Sequence, residues 1–288
     1  MKIQPAQTNP LTPLRLHPYL EKITNPTTHA WQNPAVRKML EDYLCKEIFK
    51  SEPAFGMVFT SEMNRLCGLN LPENDIYKNL HSFFKINNGL DIVFHKQYRG
   101  NRLQERANQI KELLADYSPK SLLDVGCGSG EITNELMNDL NIPSSNVRGI
   151  ETSHIESKYS FPIIVYNGVK FPDFKQPFDL VTVFSVLHHL EDPVQFIRGV
   201  HDTMNKGNRL VIRDCHSPTE EQKLFNLIAD YLWYKVFTPC DEVPIPGNYL
   251  SSDEWKSIFE SEGFKAKKIT YPEPDNPYEP FMMLLERE

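Results

Sequence analysis

Leu122-Leu123-Asp124-Val125-Gly126-Cys127-Gly128-Ser129-Gly130-Glu131 is the stretch whose reading decides the fold. Residues 121–125 are a short apolar run, long enough for a strand and too short for a helix. Glycines then fall at every second position, and residues 131–140 have helical spacing. Glycine permits positive φ and lets a ligand approach the backbone, and the helix beyond offers unpaired N–H groups. A strand ending in such a turn and opening into a helix is the first half of a βαβ unit.

Outward from this point the chain alternates. Strands are predicted at 147–151, 161–166, 178–184 and 210–213, with a helix at 193–204 and a short polar stretch at 153–160. The 178–184 run is apolar throughout, as in a strand covered on both faces. Such alternation predicts an α/β protein with a doubly wound, mostly parallel sheet. The tail differs: a helix at 220–236, a proline-rich stretch at 239–246, a helix at 252–262, and strands at 265–271 and 281–286. The short connection at 272–280 permits a hairpin, so one late strand is expected to be antiparallel.

Upstream, residues 1–32 are rich in Pro, Thr, Asn and Gln and read as an extended or partly ordered arm. Residues 33–100 read as a helical appendage, with amphipathic stretches at 35–50 and 73–84 and a stop at Asn87-Asn88-Gly89. Tyr98-Arg99-Gly100 reads as a break before a helix at 103–117. The cofactor-binding domain is assigned to residues 101–288.

The 288 residues carry a formal net charge of −7, with 40% hydrophobic and 24% charged residues. This is ordinary for a globular protein and gives no help in binding DNA or long RNA. No apolar run approaches the roughly 20 residues needed to span a bilayer, and the first residues lack the apolar stretch of a secretory signal, so a cytoplasmic location is expected. Cys45, Cys67, Cys127, Cys215 and Cys240 form no C-x-x-C pair, and neither a disulfide framework nor a metal site is expected.

A dinucleotide fingerprint, G-x-G-x-x-G, would place its last glycine at 131, where Glu131 stands. Asp124 adds a second carboxylate close to where a pyrophosphate would sit. A cofactor carrying an ammonium group fits better. Asp124-Val125-Gly126-Cys127-Gly128-Ser129-Gly130 resembles motif I of the class I S-adenosylmethionine (SAM)-dependent methyltransferases, which have a Rossmann-like fold. Gly149-Ile150-Glu151, Tyr166-Asn167-Gly168, Phe178-Asp179-Leu180-Val181 and Phe184-Ser185-Val186-Leu187-His188-His189-Leu190 resemble later motifs of that family in order. So do Lys206-Gly207-Asn208-Arg209-Leu210, Ser252-Asp253-Glu254-Trp255 and Glu262-Gly263-Phe264. The likeness runs from about residue 103 to the C-terminus.

The resemblance implies SAM as cofactor. Asp124, Gly126, Cys127, Gly128 and Gly130 would hold it, Glu151 would bind the ribose hydroxyls, and Asn167 and Gly168 would meet the adenine. Phe184 and Ser185 would line the site. Asn167 stands where the family usually has an acid, and Asn208 where a second glycine is common. Arg99 or Arg102 is placed on the methionyl carboxylate, as a bidentate partner.

Methyl transfer from a sulfonium is an in-line displacement, so the protein aligns the nucleophile and excludes water. A base is needed only if the acceptor arrives protonated. Beyond the carboxyl ends of the fourth and fifth strands lie Ser185, His188, His189, Asp214, Cys215 and His216. His216, with Asp214 nearby in sequence, is the first choice for a base, and His188 the second. The alternatives are that one of His188 and His189 packs while the other caps or lines the cofactor, and that Asp214 is a cap.

Tyr231, Trp233, Tyr234, Phe237 and Tyr249 have either a core or a pocket role. Lys265, Lys267 and Lys268 read as the face of an edge strand. A small-molecule acceptor is favoured. An RNA or protein acceptor, with the appendage as recognition module, and a non-catalytic SAM-binding or partner-binding domain are the alternatives.

Overall fold

The computed structural model describes residues 23–94, 96–115, 117–155, 158–240, 243, 245 and 247–288, without the side chains of residues 96–100. Strands β1 (Leu122–Val125), β2 (Val147–Glu151), β3 (Ile163–Val165), β4 (Phe178–Phe184) and β5 (Met204–Cys215) run parallel. Strands β6 (Phe264–Thr270) and β7 (Pro280–Arg287) complete one sheet in the order β3-β2-β1-β4-β5-β7-β6. β7 is antiparallel to both β5 and β6. Strand order reverses direction between β1 and β4, and in open α/β sheets ligands bind at that switch point. The helices are α1 (Pro26–Gln32), α2 (Pro34–Tyr43), α3 (Pro53–Gly68), α4 (Glu73–Ile86), α5 (Gly89–Val93), α6 (Lys96–Leu114), α7 (Glu131–Asp139), α8 (Pro193–Asp202), α9 (Glu220–Tyr231) and α10 (Ser252–Ser261).

Side chains alternate across each strand, and both faces are buried. Leu123, Val125, Val181, Val183 and Ile212 pack under α8 and α10, through Phe196, Ile197, Trp255 and Phe259. Leu122, Leu180 and Val211 pack on the other face under α6 and α7, through Ala107, Ile110, Leu136 and Met137. By the same alternation Asp124, Thr182, Phe184 and Arg213 belong to the α6–α7 face, at the carboxyl ends of their strands. Lys265, Lys267 and Lys268 are exposed on β6, the sheet's edge.

A third core lies outside the sheet. It joins Val36, Leu40, Phe49, Phe59 and Phe84 of the first helices to Leu224, Phe225, Ile228, Val236 and Phe237 of the segment after β5. Phe237 is the centre, with ring centroids 5.6 Å from Phe49, 5.6 Å from Phe59 and 5.0 Å from Phe84. His81 Nδ1 also meets the Val236 carbonyl at 2.7 Å. Two distant chain segments therefore make one helical cap.

Several boundaries depart from the sequence reading. The end of the expected arm is helical, because Asn25 accepts the Thr28 N–H and Pro26 occupies the first turn; residues 1–22 of that arm lie outside the described residues. Gly100 lies inside α6 and breaks nothing, at the modest cost of a helical glycine. β3 is shorter than expected because Phe161 turns inward to the α6–α7 core. β5 is longer, running from Met204. The expected helix at 220–236 is α9 followed by a π-helical turn, Leu232–Phe237, and Leu44–Ile48 is a second π-helical turn.

Phe237→Ala is expected to destabilise the protein by about 3–5 kcal/mol. Chemical denaturation would measure this, and a loss under about 1 kcal/mol would show that the cap does not hang on that ring.

Candidate active site

The glycine turn after β1 divides its labour. Gly126, Gly128 and Gly130 all have positive φ, at 72°, 52° and 80°. A Cβ on Gly126 would stand 2.3 Å from Val186 Cγ2, and one on Gly130 would stand 2.8 Å from Phe161 Cζ. A Cβ on Gly128 would meet nothing within 4 Å. The outer two glycines are demanded by packing, and the middle one leaves a face open to a ligand. Gly126 and Cys127 donate their N–H groups to the Ile150 carbonyl at 2.9 and 3.2 Å, which fixes the turn to the end of β2. Gly128 N–H donates to Glu151 Oε2 at 2.9 Å.

Asp124 is buried and accepts from Thr133 Oγ1 at 2.5 Å and Thr182 Oγ1 at 2.8 Å, tying β1 to α7 and β4. Burial raises its pKa to about 6, against the pull of those two hydroxyls. Asp124, Glu131 and Glu151 thus gather round one turn. A pyrophosphate would face three carboxylates here, whereas a nucleoside bearing sulfonium and ammonium groups meets compensating charge. The residues fit SAM.

Beside the turn opens a cavity of about 800 Å³. Its walls include Asp124, Gly126, Cys127, Gly128, Phe184, Ser185, His188 and His189 from the sheet's end. The cap supplies Tyr43 and Glu47 on one side and Trp233 and Tyr234 on the other, so both π-helical turns contribute to its roof. Ser185 holds φ 54°, a left-handed conformation costly for a non-glycine residue, while its N–H donates to the Arg213 carbonyl at 2.7 Å.

His188 is buried between two carboxylates. Its Nδ1 lies 2.5 Å from Asp214 Oδ1, and its Nε2 lies 3.8 Å from Asp230 Oδ2. Asp214 also accepts from the Leu187 and Cys215 N–H groups at 2.9 and 2.8 Å. Tyr249 OH donates to Asp230 at 2.7 Å. Burial opposes charge on the imidazole, but Asp214 and Asp230 together outweigh it and raise its pKa to about 9. Burial raises Asp230 to about 6, against His188 and the Tyr249 hydroxyl. Donor atoms of His188, His189 and Asp230 fall within 4.8 Å of one another, as do those of His188, Asp214 and Cys215. The carboxylates facing both His188 nitrogens make this a proton-sharing network.

Other expected residues stand elsewhere. His216 is absent from the cavity wall: its Nδ1 accepts from Ser252 N–H at 3.0 Å, and its ring packs on Tyr271. Asp214 turns to His188 instead, because β5 ends at Cys215 and strand alternation no longer governs His216. Asn167 and Gly168 do not line the cavity, and Asn167 Oδ1 accepts from Val169 and Lys170 N–H at 3.1 and 2.8 Å within its own turn. The side chain of Arg99 lies outside the described residues, while Arg102 lines the cavity. Of the aromatic group, Trp233 and Tyr234 line the cavity, Phe237 and Tyr249 are core, and Tyr231 packs on Tyr77 at 5.3 Å.

Asp230, Arg106 and Arg213 were not anticipated as site residues. For Asp230 a signal existed: Gln222, Asn226 and Asp230 form an i, i+4, i+8 polar row along α9, and all three are buried.

A family model described as a methyltransferase domain matches residues 97–268. The chain belongs to this methyltransferase-domain family, whose cofactor is SAM. It is 28% identical to an uncharacterised methyltransferase of Oceanobacillus iheyensis over 141 residues, 46% of this chain and 64% of the relative. It is 25% identical to the mitochondrial ubiquinone biosynthesis O-methyltransferase of Schizosaccharomyces pombe over 160 residues, 48% of this chain and 56% of that one. Against the tRNA U34 carboxymethyltransferase of Desulfotalea psychrophila it is 24% identical over 174 residues, 56% and 48% of the two chains. The chain thus spans about half to just under two thirds of the length of these curated relatives. A solved SAM-dependent methyltransferase from Thermotoga maritima, a possible histamine N-methyltransferase, aligns at a TM-score of 0.47 with 15% identity, covering 69% of this chain and 99% of that one.

Gly128→Ala is expected to cost only about 1–2 kcal/mol of stability, from its left-handed backbone, yet to weaken SAM binding about tenfold or more. Gly126→Ala, which adds a clash, is expected to lose more stability than Gly128→Ala. Calorimetry and thermal melts on both variants would check the pair; undiminished SAM affinity in Gly128→Ala would remove the turn from the binding site.

Proposed function

We propose that the protein transfers a methyl group from SAM to a hydroxyl oxygen of a small-molecule acceptor held in the cavity beside the glycine turn. The observation that carries this reading is the cavity itself. Its volume lies within the range of about 300–1,000 Å³ typical of small-molecule sites, and it is roofed by the helical cap. The net charge of −7 is a poor match for a polyanionic acceptor. The ubiquinone-pathway relative is an O-methyltransferase, which favours oxygen. The cap, including the appendage at 33–100, serves as the acceptor's lid. The five cysteines are free, which fits a reducing compartment, the cytoplasm. No helix among the described residues is long and apolar enough to cross a membrane.

When bound, SAM supplies the activated methyl group. The backbone from Gly126 to Gly130 would hold it, with Glu151 at the ribose hydroxyls. The work of the chain's own residues is alignment, desolvation and proton removal. His188, in its neutral form, donates Nδ1–H to Asp214, which fixes the tautomer and leaves Nε2 to accept the acceptor's hydroxyl proton. Asp230, across from Nε2, stabilises the imidazolium so formed. Trp233 and Tyr234 exclude water from the transfer.

Tritiated-methyl SAM incubated with separated metabolite, RNA and protein fractions is expected to label a small molecule. Label confined to RNA or protein overturns the acceptor class, and tight SAM binding with no transfer overturns turnover. Because neutral His188 is the active form and its pKa is raised to about 9, turnover is expected to climb with pH toward about 9. Asp230→Asn removes one of the two carboxylates holding that pKa up, and is expected to shift the rising limb down by about 1 unit. His188→Gln is expected to lower kcat about 100-fold or more. An identical pH profile in Asp230→Asn would exclude His188 as the base.

A further inference from the structure

Away from the glycine turn, the same cavity changes chemical character. α6 contributes Arg102 and Arg106 to its wall, and β5 contributes Arg213. The Arg213 side chain is only 5% exposed and gives Nη2 to Glu273 Oε1 at 2.7 Å, while its Nε has no hydrogen-bond partner. Glu273 is itself shared with Asn276 Nδ2 at 2.8 Å. Among the described residues, Arg106 has no hydrogen bond or ion pair. Glu47, Glu105 and Asp275 also line the cavity, but none lies within ion-pairing distance of it. Burial, with Arg213 and Arg102 adding to it, pushes the Arg106 pKa down to about 9 against the opposing pull of Glu273. A guanidinium in such surroundings with no hydrogen-bonded partner of its own is costly, and a second, incompletely bonded guanidinium beside it compounds the cost, since Glu273, the nearby counter-charge, is already bonded to Arg213.

Position separates this pair from the cofactor's end of the cavity. β5 is two strands from β1, and strands are about 4.8 Å apart, so Arg213 stands roughly 10 Å along the sheet from the glycine turn. The stacked rings of Tyr43 and Tyr278, 6.4 Å between centroids, line the same cavity. We infer that Arg106 and Arg213 form a carboxylate-binding subsite, and that the acceptor is a small unsaturated or aromatic carboxylic acid. This rests on the methyltransferase reading above. A guanidinium fork matches a planar carboxylate. Glu273 already neutralises part of the positive charge, which leaves a site suited to a monoanion and poor for a phosphate dianion.

The test uses full-length protein saturated with S-adenosylhomocysteine (SAH). The probes are 4-hydroxybenzoate and 4-hydroxycinnamate, their neutral amides, and phenyl phosphate, followed by calorimetry and ligand-observed NMR. Each carboxylate is expected to bind about tenfold or more tightly than its amide, as for a hydrogen-bonded charge. Arg106→Met is expected to erase that preference with SAH affinity unchanged, and Arg106→Lys to retain part of it. Equal binding of acids and amides, no binding of any acid, or a preference for the phosphate overturns the subsite. So does a large loss of SAH affinity in Arg106→Met, which would assign the guanidinium to the methionyl carboxylate. A wild-type protein blind to SAH would overturn the methyltransferase reading instead, a failure visible before any acid is added.

Discussion

The imidazole of His188, enclosed by Asp214 from the sheet and Asp230 from the cap, is the interaction on which the rest of the site depends. Asp214 is already committed to two backbone N–H groups, so it cannot move without disturbing the turn after β4 and the end of β5. Asp230 is held by Tyr249. The ring is therefore located from both sides, by elements that belong to different cores. A buried charge needs such partners, and supplying them brings the carboxyl end of the sheet and the cap to a fixed separation. The cavity is the space left between them.

Guanidinium charge within that space is confined to one side. Carboxylates surround the glycine turn, at Asp124, Glu131 and Glu151, while the wall formed by α6 and β5 carries guanidinium groups, at Arg102, Arg106 and Arg213, interspersed with Glu47, Glu105, Glu273 and Asp275. A ligand pair with a cation at the turn and an anion on the guanidinium side would lie between them in a single orientation. Orientation is most of what a displacement between two bound molecules requires of a protein.

Much of this was legible in the sequence. The strand–glycine–helix signature at 122–131 located the turn, and two-residue periodicity told which side chains share a face. Two things were hidden. Near neighbours in sequence diverge in space: His216 comes two residues after Asp214, yet it serves the start of α10 while Asp214 holds His188. Parity along β5 carries Asp214 to its own face, but the chain leaves the strand at Cys215, and no periodicity governs the loop beyond it. The second hidden feature was the cap. α9 is buried on all sides from Gln222 to Asp230, so its polar residues read as a solvent face when only one helix is considered. Much of its cover comes from helices that end by Ile86, far before α9 begins at Glu220. Local patterns say nothing over such a separation.

The apolar surface between α1–α4 and the segment after β5 has a practical consequence. The family match begins at residue 97, which makes that position an inviting place to start a shortened gene. Such a product would leave Phe225, Ile228, Val236 and Phe237 bare to water, with the rings that cover them deleted. A trimmed protein of that kind would be sticky and prone to aggregate, for the catalytic half is watertight only when its foreign-looking leading segment is attached.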